Sequence, residues 1–255
     1  MIKKILFSSL MLLSMASFSE KLVLHTSGIT DNPIRFDPGN RQQPGFSIEL
    51  MQALQKRDPD LSFAGQNDLR SIKRIESGLK SGKLDIFFGL VSTPSRQDDF
   101  HVITQPVLYV QHIRLAAAKD DHAEVHDLAD LSKTVNAGAV AVPQGSIYVE
   151  QLKSLGGVEI DDGSESLLNC LKKLLLGRVR FVYYGGEELK RYLHDKHLNG
   201  SIKLLPAVLA TGAICVVISR KVPQNTRARI LAGLQKLQRD GTLDALRDKY
   251  GLSVL

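Results

Sequence analysis

Strand-like apolar runs alternate with segments of helical periodicity along almost the whole chain, and this alternation restricts the fold more than any other feature. Residues 22–25, Leu-Val-Leu-His, read as a short strand. From 45 to 56 the apolar residues Ile48, Met51 and Leu54 recur at helical spacing. Residues 61–64 form a second strand signal. Leu69, Ile72, Ile75 and Leu79 then mark the apolar stripe of a helix that stops at Gly82. Residues 84–88, with Ile86, Phe87 and Phe88, predict a buried strand. The order β-α-β-α-β predicts a parallel sheet covered by helices.

The pattern repeats further on. Strands are predicted over 140–142, 158–160, 179–184 and 202–205, with helices over 146–155, 165–176 and 187–194 between them. Asp162-Gly163-Ser164 is a cap-rich turn, and Gly177 is a helix stop. A last strand, 213–218, precedes a helix over 225–239 that carries Ile230, Leu234 and Leu237 on one side. Gly241 breaks it and Thr242 opens another. These are two α/β units joined by two strand-like crossings, 111–118 and 205–214, neither rich in Pro, Gly or Ser. The chain therefore divides into one lobe of 21–110 plus 211–255 and a second of 111–210. Two stiff crossings beside a cleft are the anatomy of a hinge.

The first twenty residues read as a separate object. Lys3 and Lys4 precede an apolar run over 5–15, and Ser17-Phe18-Ser19 supplies small residues for a cut after Ser19. This is the pattern of a secretory signal peptide over 1–19, too short to span a bilayer. No Cys follows to carry a lipid anchor, so the pattern predicts export to the periplasm. With 255 residues, 43% of them apolar, the chain is long enough for one large domain or two small ones and is not a disordered chain. The net charge of +6 falls by two when the leader is removed. Its basic residues are not interleaved with aromatics, which argues against nucleic acid as a partner. Cys170 lies on an apolar helical face and Cys215 in an apolar strand, so both read as free, buried thiols.

Several motifs in order resemble those of the family 3 periplasmic solute-binding proteins. They are Gly45-Phe46-Ser47-Ile48-Glu49-Leu50, Leu79 to Asp85 with Gly82-Lys83-Leu84, and Thr93-Pro94-Ser95-Arg96 with Phe100. Gln105-Pro106-Val107-Leu108-Tyr109, Val140 to Ser146, Asp240-Gly241-Thr242-Leu243 and Lys249-Tyr250-Gly251 follow. The resemblance covers residues 21–252. It implies a two-lobe α/β fold of the periplasmic-binding-protein-like type II class, with a hinge and an interlobe cleft. It further implies a monomer that captures a small carboxylate solute, an amino acid or related compound, for the permease of an ABC transporter. No cofactor and no catalytic residue are implied.

By the same resemblance Arg96 and Gly145-Ser146 lie on opposite cleft walls. Arg96 presents a planar fork for a carboxylate. Gly145 and Ser146 open a predicted helix whose free N–H groups favour an anion. Phe36 corresponds to an aromatic cover, Ile75, Leu90 and Ser92 to the wall of the first lobe, and Tyr184 to the cleft mouth. Where amino-acid binders of the family place an Asp for the ligand's ammonium, this chain has Gly185. Either the ligand carries no α-amino group, or Glu187 or Glu188 replaces that Asp. Two other functions fit the same resemblance. One is an enzyme like the cyclohexadienyl dehydratases, with Glu187 or Glu188 as general acid, and the other is a sensor that works without a transporter. His122 and His126 have the i, i+4 spacing of a helical metal chelate but lack a third ligand nearby, so no metal is expected.

Overall fold

The computed structural model describes residues 21–134 and 138–254; the predicted leader over 1–19 lies outside them. The first half of the chain runs β1 (Leu22–His25), β2 (Gly28–Ile29), α1 (Phe46–Arg57), β3 (Leu61–Ala64), β4 (Leu69–Arg70), α2 (Ile72–Ser81), β5 (Ile86–Val91), α3 (Pro94–Asp99), β6 (His101–Ile103) and β7 (Tyr109–Ala118). It continues as α4 (Leu128–Thr134), β8 (Val140–Pro143), α5 (Tyr148–Leu155), β9 (Ile160–Ser164), α6 (Leu167–Leu175), β10 (Phe181–Gly185) and α7 (Gly186–Asp195). The last elements are β11 (Ile202–Leu204), β12 (Ala210–Ile218), α8 (Gln224–Arg239) and α9 (Thr242–Tyr250).

The buried apolar residues form two clusters. One gathers side chains from Leu24 to Tyr109 together with Ile214 to Leu252. The other gathers Ile113 to Leu205. The chain therefore leaves its first core, builds a second, and returns. The two crossings pair with each other. β7 and β12 run antiparallel in register Tyr109↔Ile214, Gln111↔Gly212 and Ile113↔Ala210. Beyond that ribbon β12 pairs with β5 and β6 in the first core, while β7 pairs with β10 and β11 in the second. Parallel pairing joins β1 to β3, and β8 to both β9 and β10, as predicted, but β5, expected as a third parallel strand beside β1 and β3, pairs antiparallel with β12.

Helices α8 and α9 return to the first core through Ile230, Leu234, Leu237 and Leu243. Arg247 fastens α9 to the approach to the ribbon, since its Nε donates to the Leu108 carbonyl and its Nη2 to that of Val107, both at 2.7 Å. Both cysteines are buried and free. Burial pushes each thiol up to about 11, so neither is a ready nucleophile at neutral pH.

Some local expectations shift. Leu69 is exposed and lies in β4, so the stripe of α2 begins at Ile72. The third strand of the second core is Ile160–Ser164 rather than 158–160, displaced by pairing with β8. Likewise β10 is Phe181–Gly185, not 179–184. His122 and His126 lie in irregular, exposed chain, so they have no helix to make them neighbours. Among the described residues no helix is long and apolar enough to cross a membrane.

Candidate interlobe binding site

A set of buried polar side chains from both lobes, Asn32, Arg35, Tyr109 and Glu188, meets beside the ribbon. β10 ends at Gly185, and α7 starts at the next residue with Glu187 and Glu188 in its first turn. Glu188 is fully buried. Its Oε1 accepts from the Tyr109 hydroxyl at 3.2 Å, from Asn32 Nδ2 at 3.4 Å and from Arg35 Nη2 at 3.4 Å. Arg35 and Asn32 come from the loop between β2 and α1, in the first core. The Asn32 Oδ1 in turn accepts from the Arg35 backbone N–H at 3.1 Å, which sets the start of that arginine. The Arg35 guanidinium also donates to the Gly89 carbonyl. Gly89 has φ +134, and a Cβ there would stand 2.9 Å from Arg35 Cδ, so a glycine is needed for the side chain to pass.

Aromatic rings seal this cluster. Tyr148 meets Tyr184 edge-on at 5.4 Å, and its hydroxyl donates to Gln111 Oε1 at 2.6 Å. Burial pushes the Tyr184 phenol up to about 12, with Arg35 opposing and Glu188 adding to the rise. Burial also raises Tyr109 and Tyr148, so both hydroxyls stay protonated donors at neutral pH. Burial works against the charge on Arg35, yet the groups around it, the Glu188 carboxylate among them, hold its pKa above the ordinary value. Several buried polar atoms of the two lobes have no partner: Ser27 Oγ, Arg35 Nε, Gln111 Nε2, Ser146 Oγ and Glu188 Oε2. Buried polar groups are normally hydrogen-bonded, so the unpartnered atoms of Arg35, Glu188 and Gln111 beside Gly185 mark a place where a solute or water completes the bonding.

The predicted residues divide. Ser146 is buried with its hydroxyl unpartnered, and Tyr184 closes the aromatic wall. Gly145 has φ +73, and a Cβ there would lie 3.5 Å from Lys73 Cβ on α2, so the loop after β8 rests on the first core. Helix α5 begins at Tyr148 with Ile147 as its cap, so Gly145 and Ser146 precede the helix instead of opening it. Arg96 is buried and positioned by the Thr93 cap of α3, whose hydroxyl accepts from the Arg96 N–H at 3.2 Å. Its fork is engaged, however. Nε and Nη2 both reach Glu76 Oε1 at 2.8 Å, and Nη1 donates to the Val91 carbonyl at 2.8 Å. Glu76 is one turn along α2 from Lys73, so Arg96 and Gly145 border the same helix.

Phe36, Ile75 and Leu90 belong to the first apolar core, where Phe36 stacks on Phe87 at 5.6 Å. Ser92 is half-buried, and its hydroxyl accepts from Gln97. Glu187 turns away from Glu188. Its carboxylate meets His112 Nδ1 at 2.7 Å and lines a cavity of about 510 Å³ with Arg114, Lys190 and Tyr250. Neither Arg96 nor Ser146 lines that cavity. The space between Ile72, Gln144 and Tyr184 is only about 20 Å³, room for one water. The groove beside it, between Lys73 and Arg74 on the first lobe and Gln144, Ser166 and Asn169 on the second, is larger, about 370 Å³. Sequence reading missed Asn32, Arg35, Tyr109 and Gln111 as site residues; Gln111 stands on a predicted crossing and Tyr109 just before it, while the loop residues carry no periodic signal.

The pattern that defines the bacterial extracellular solute-binding proteins, family 3, matches residues 26–253. The chain belongs to that family. It is similar to the amino-acid-binding protein AabA of Dichelobacter nodosus, with 23% identity over 222 residues, covering 86% of this chain and 83% of the relative. It also shares its fold with a histidine kinase sensor domain that resembles periplasmic binding proteins. There the TM-score is 0.78 at 18% identity, over 91% of this chain and 98% of the other. The substrate-binding protein of an amino acid ABC transporter gives a TM-score of 0.73 at 17% identity, over 89% and 98% of the two chains. The fold is therefore the two-lobe, periplasmic-binding-protein-like α/β fold.

Proposed function

We propose that this family member works in the periplasm, where it captures a small carboxylate-bearing solute, an amino acid or related compound, and delivers it to the permease of an ABC transporter. The leader over 1–19 directs export. The lobes 21–110 plus 211–255 and 111–210 open and close about the β7–β12 ribbon. The observation that carries the reading is the set of buried, unpartnered polar atoms contributed by both lobes, Ser27 and Arg35 from one and Ser146 and Glu188 from the other. In the bound state Arg96 and the Gly145-Ser146 turn hold the solute carboxylate, and Tyr184 covers it. Glu76, the partly exposed member of that ion pair, yields the Arg96 fork to the incoming anion and turns to solvent. Each charge-assisted hydrogen bond contributes roughly 1.5–3 kcal/mol.

A thermal-shift screen of small carboxylates, amino acids and short peptides tests the proposal. A solute at 100 times its Kd stabilises the folded state by about 2.7 kcal/mol and raises Tm by several degrees. A screen in which none of these solutes shifts Tm refutes it. One observation favours a second reading, an acid–base enzyme on this fold: Glu188 Oε2 is buried without a partner. Conversion of prephenate to phenylpyruvate, abolished in Glu188→Gln, would establish that reading instead.

A further inference from the structure

We infer that Arg35 is a built-in cation of the cleft, occupying with Glu188 the place a positively charged ligand group would take, so that this site selects carboxylates without an amino group. The inference rests on the solute-binding reading above and narrows its substrate class. Glu188 belongs to the second core and Arg35 to the first, so their ion pair spans the cleft. A Cβ at position 185 would stand 2.1 Å from Glu188 Oε2 and 2.2 Å from Gln111 Nε2. The Glu188 carboxylate therefore fills the space in which a side chain from the end of β10 would begin. Gly89 is shaped to let Arg35 reach that carboxylate.

The charge inventory points the same way. Glu188 is matched by Arg35, and Glu76 by Arg96. Asp31, at the cleft edge, accepts from the Tyr192 hydroxyl at 3.0 Å, and Glu165 is exposed. A ligand ammonium reaching Glu188 Oε2 would share one buried carboxylate with a guanidinium already on it, and two like charges in a dry site repel strongly. The other unpartnered atoms, the Ser27 and Ser146 hydroxyls, Gln111 Nε2 and Arg35 Nε, can all donate, which suits an acid.

Two measurements test this. In the first, calorimetry on the wild-type chain compares L-leucine, L-glutamate and L-phenylalanine with their 2-hydroxy acids. At least one hydroxy acid is expected to bind tenfold or more tightly than its amino acid. Equal or tighter binding of the amino acids overturns the inference. If no acid of either kind binds, the solute-binding reading fails, and the second measurement still decides the role of Arg35.

In the second measurement, Arg35→Ala vacates the guanidinium site, and N-ethylguanidinium at low millimolar concentration is added against an equal concentration of sodium chloride. The variant is expected to gain several degrees in Tm, saturably, while wild type and Arg35→Ala/Glu188→Gln gain nothing. If the alanine variant does not fold alone, it is refolded with and without N-ethylguanidinium, and recovery of folded protein only with the guanidinium reads the same outcome. An unchanged response in the folded variant, or the same gain in wild type, removes Arg35 from this role.

Discussion

Position 185 shows how one missing atom arranges a site. Gly185 has ordinary negative φ, so its glycine is required by neighbours and not by backbone conformation. Gly185→Ala is expected to cost about 1–3 kcal/mol by forcing Glu188 and Gln111 apart. Shortening the neighbour in Gly185→Ala/Glu188→Ala should return part of that loss, because contacting residues do not add independently. Urea unfolding of the single and double variants measures both terms, and strict additivity would contradict the contact. Arg96 is the matching test on the anion side. Arg96→Ala is expected to lose roughly 2–5 kcal/mol of binding for a carboxylate found in the screen. Arg96→Lys should recover only part, since an ammonium lacks the planar fork. Calorimetry on folded variants checks this, and unchanged affinity would take Arg96 out of the site.

Among the elements, the β7–β12 ribbon couples the lobes, and α9 controls where it starts. Arg247 is buried and donates to two carbonyls just before β7 while its Nη1 meets Asp244. The isolated bridge between Val110 and Ser253 continues that attachment past the end of α9. Arg247→Met keeps the apolar stem but leaves the Val107 and Leu108 carbonyls without these donors. It is expected to destabilise the protein by about 1–3 kcal/mol, read from the urea midpoint. Amide exchange near 107–110 should rise with it. A variant as stable as wild type would mean that the ribbon is held without α9.

For the whole molecule, pH acts through carboxylates paired on both lobes. The Arg229 partner lowers the pKa of Asp58 on the first core, as Arg180 does for Asp121 and Lys173 for Asp161 on the second. Each folded-state pKa lies below its unfolded value, so each pair stabilises above the ordinary carboxylate pKa of about 3.9 and loses that contribution as pH falls through the folded value. Tm should therefore decline as pH drops below about 4–5, with less decline in Asp121→Asn and Asp161→Asn than in wild type. A Tm profile that is flat through this range, or steeper in the variants, would contradict the assignment.

Much of the architecture was legible in the chain because strand and helix periods are local properties. The alternation of periods near 2 and 3.6 placed most elements to within a few residues, while the antiparallel pairing of the two strand-like crossings is visible only in the structure. The family followed from short motifs in order, which survive even at 23% identity to a relative. The site was legible only in part. Phe36, Ile75 and Leu90 are apolar, and apolarity does not distinguish a cleft wall from a core. Glu187 and Glu188 are neighbours in sequence but about 100° apart around a helix, so helix docking alone chose which one turned inward. Arg35 meets Glu188 across a sequence separation of 153 residues, from a loop with no period of its own. Local sequence determined the elements and their order; the packing of two lobes decided which charges face each other, because that contact exists only when both cores have formed and closed.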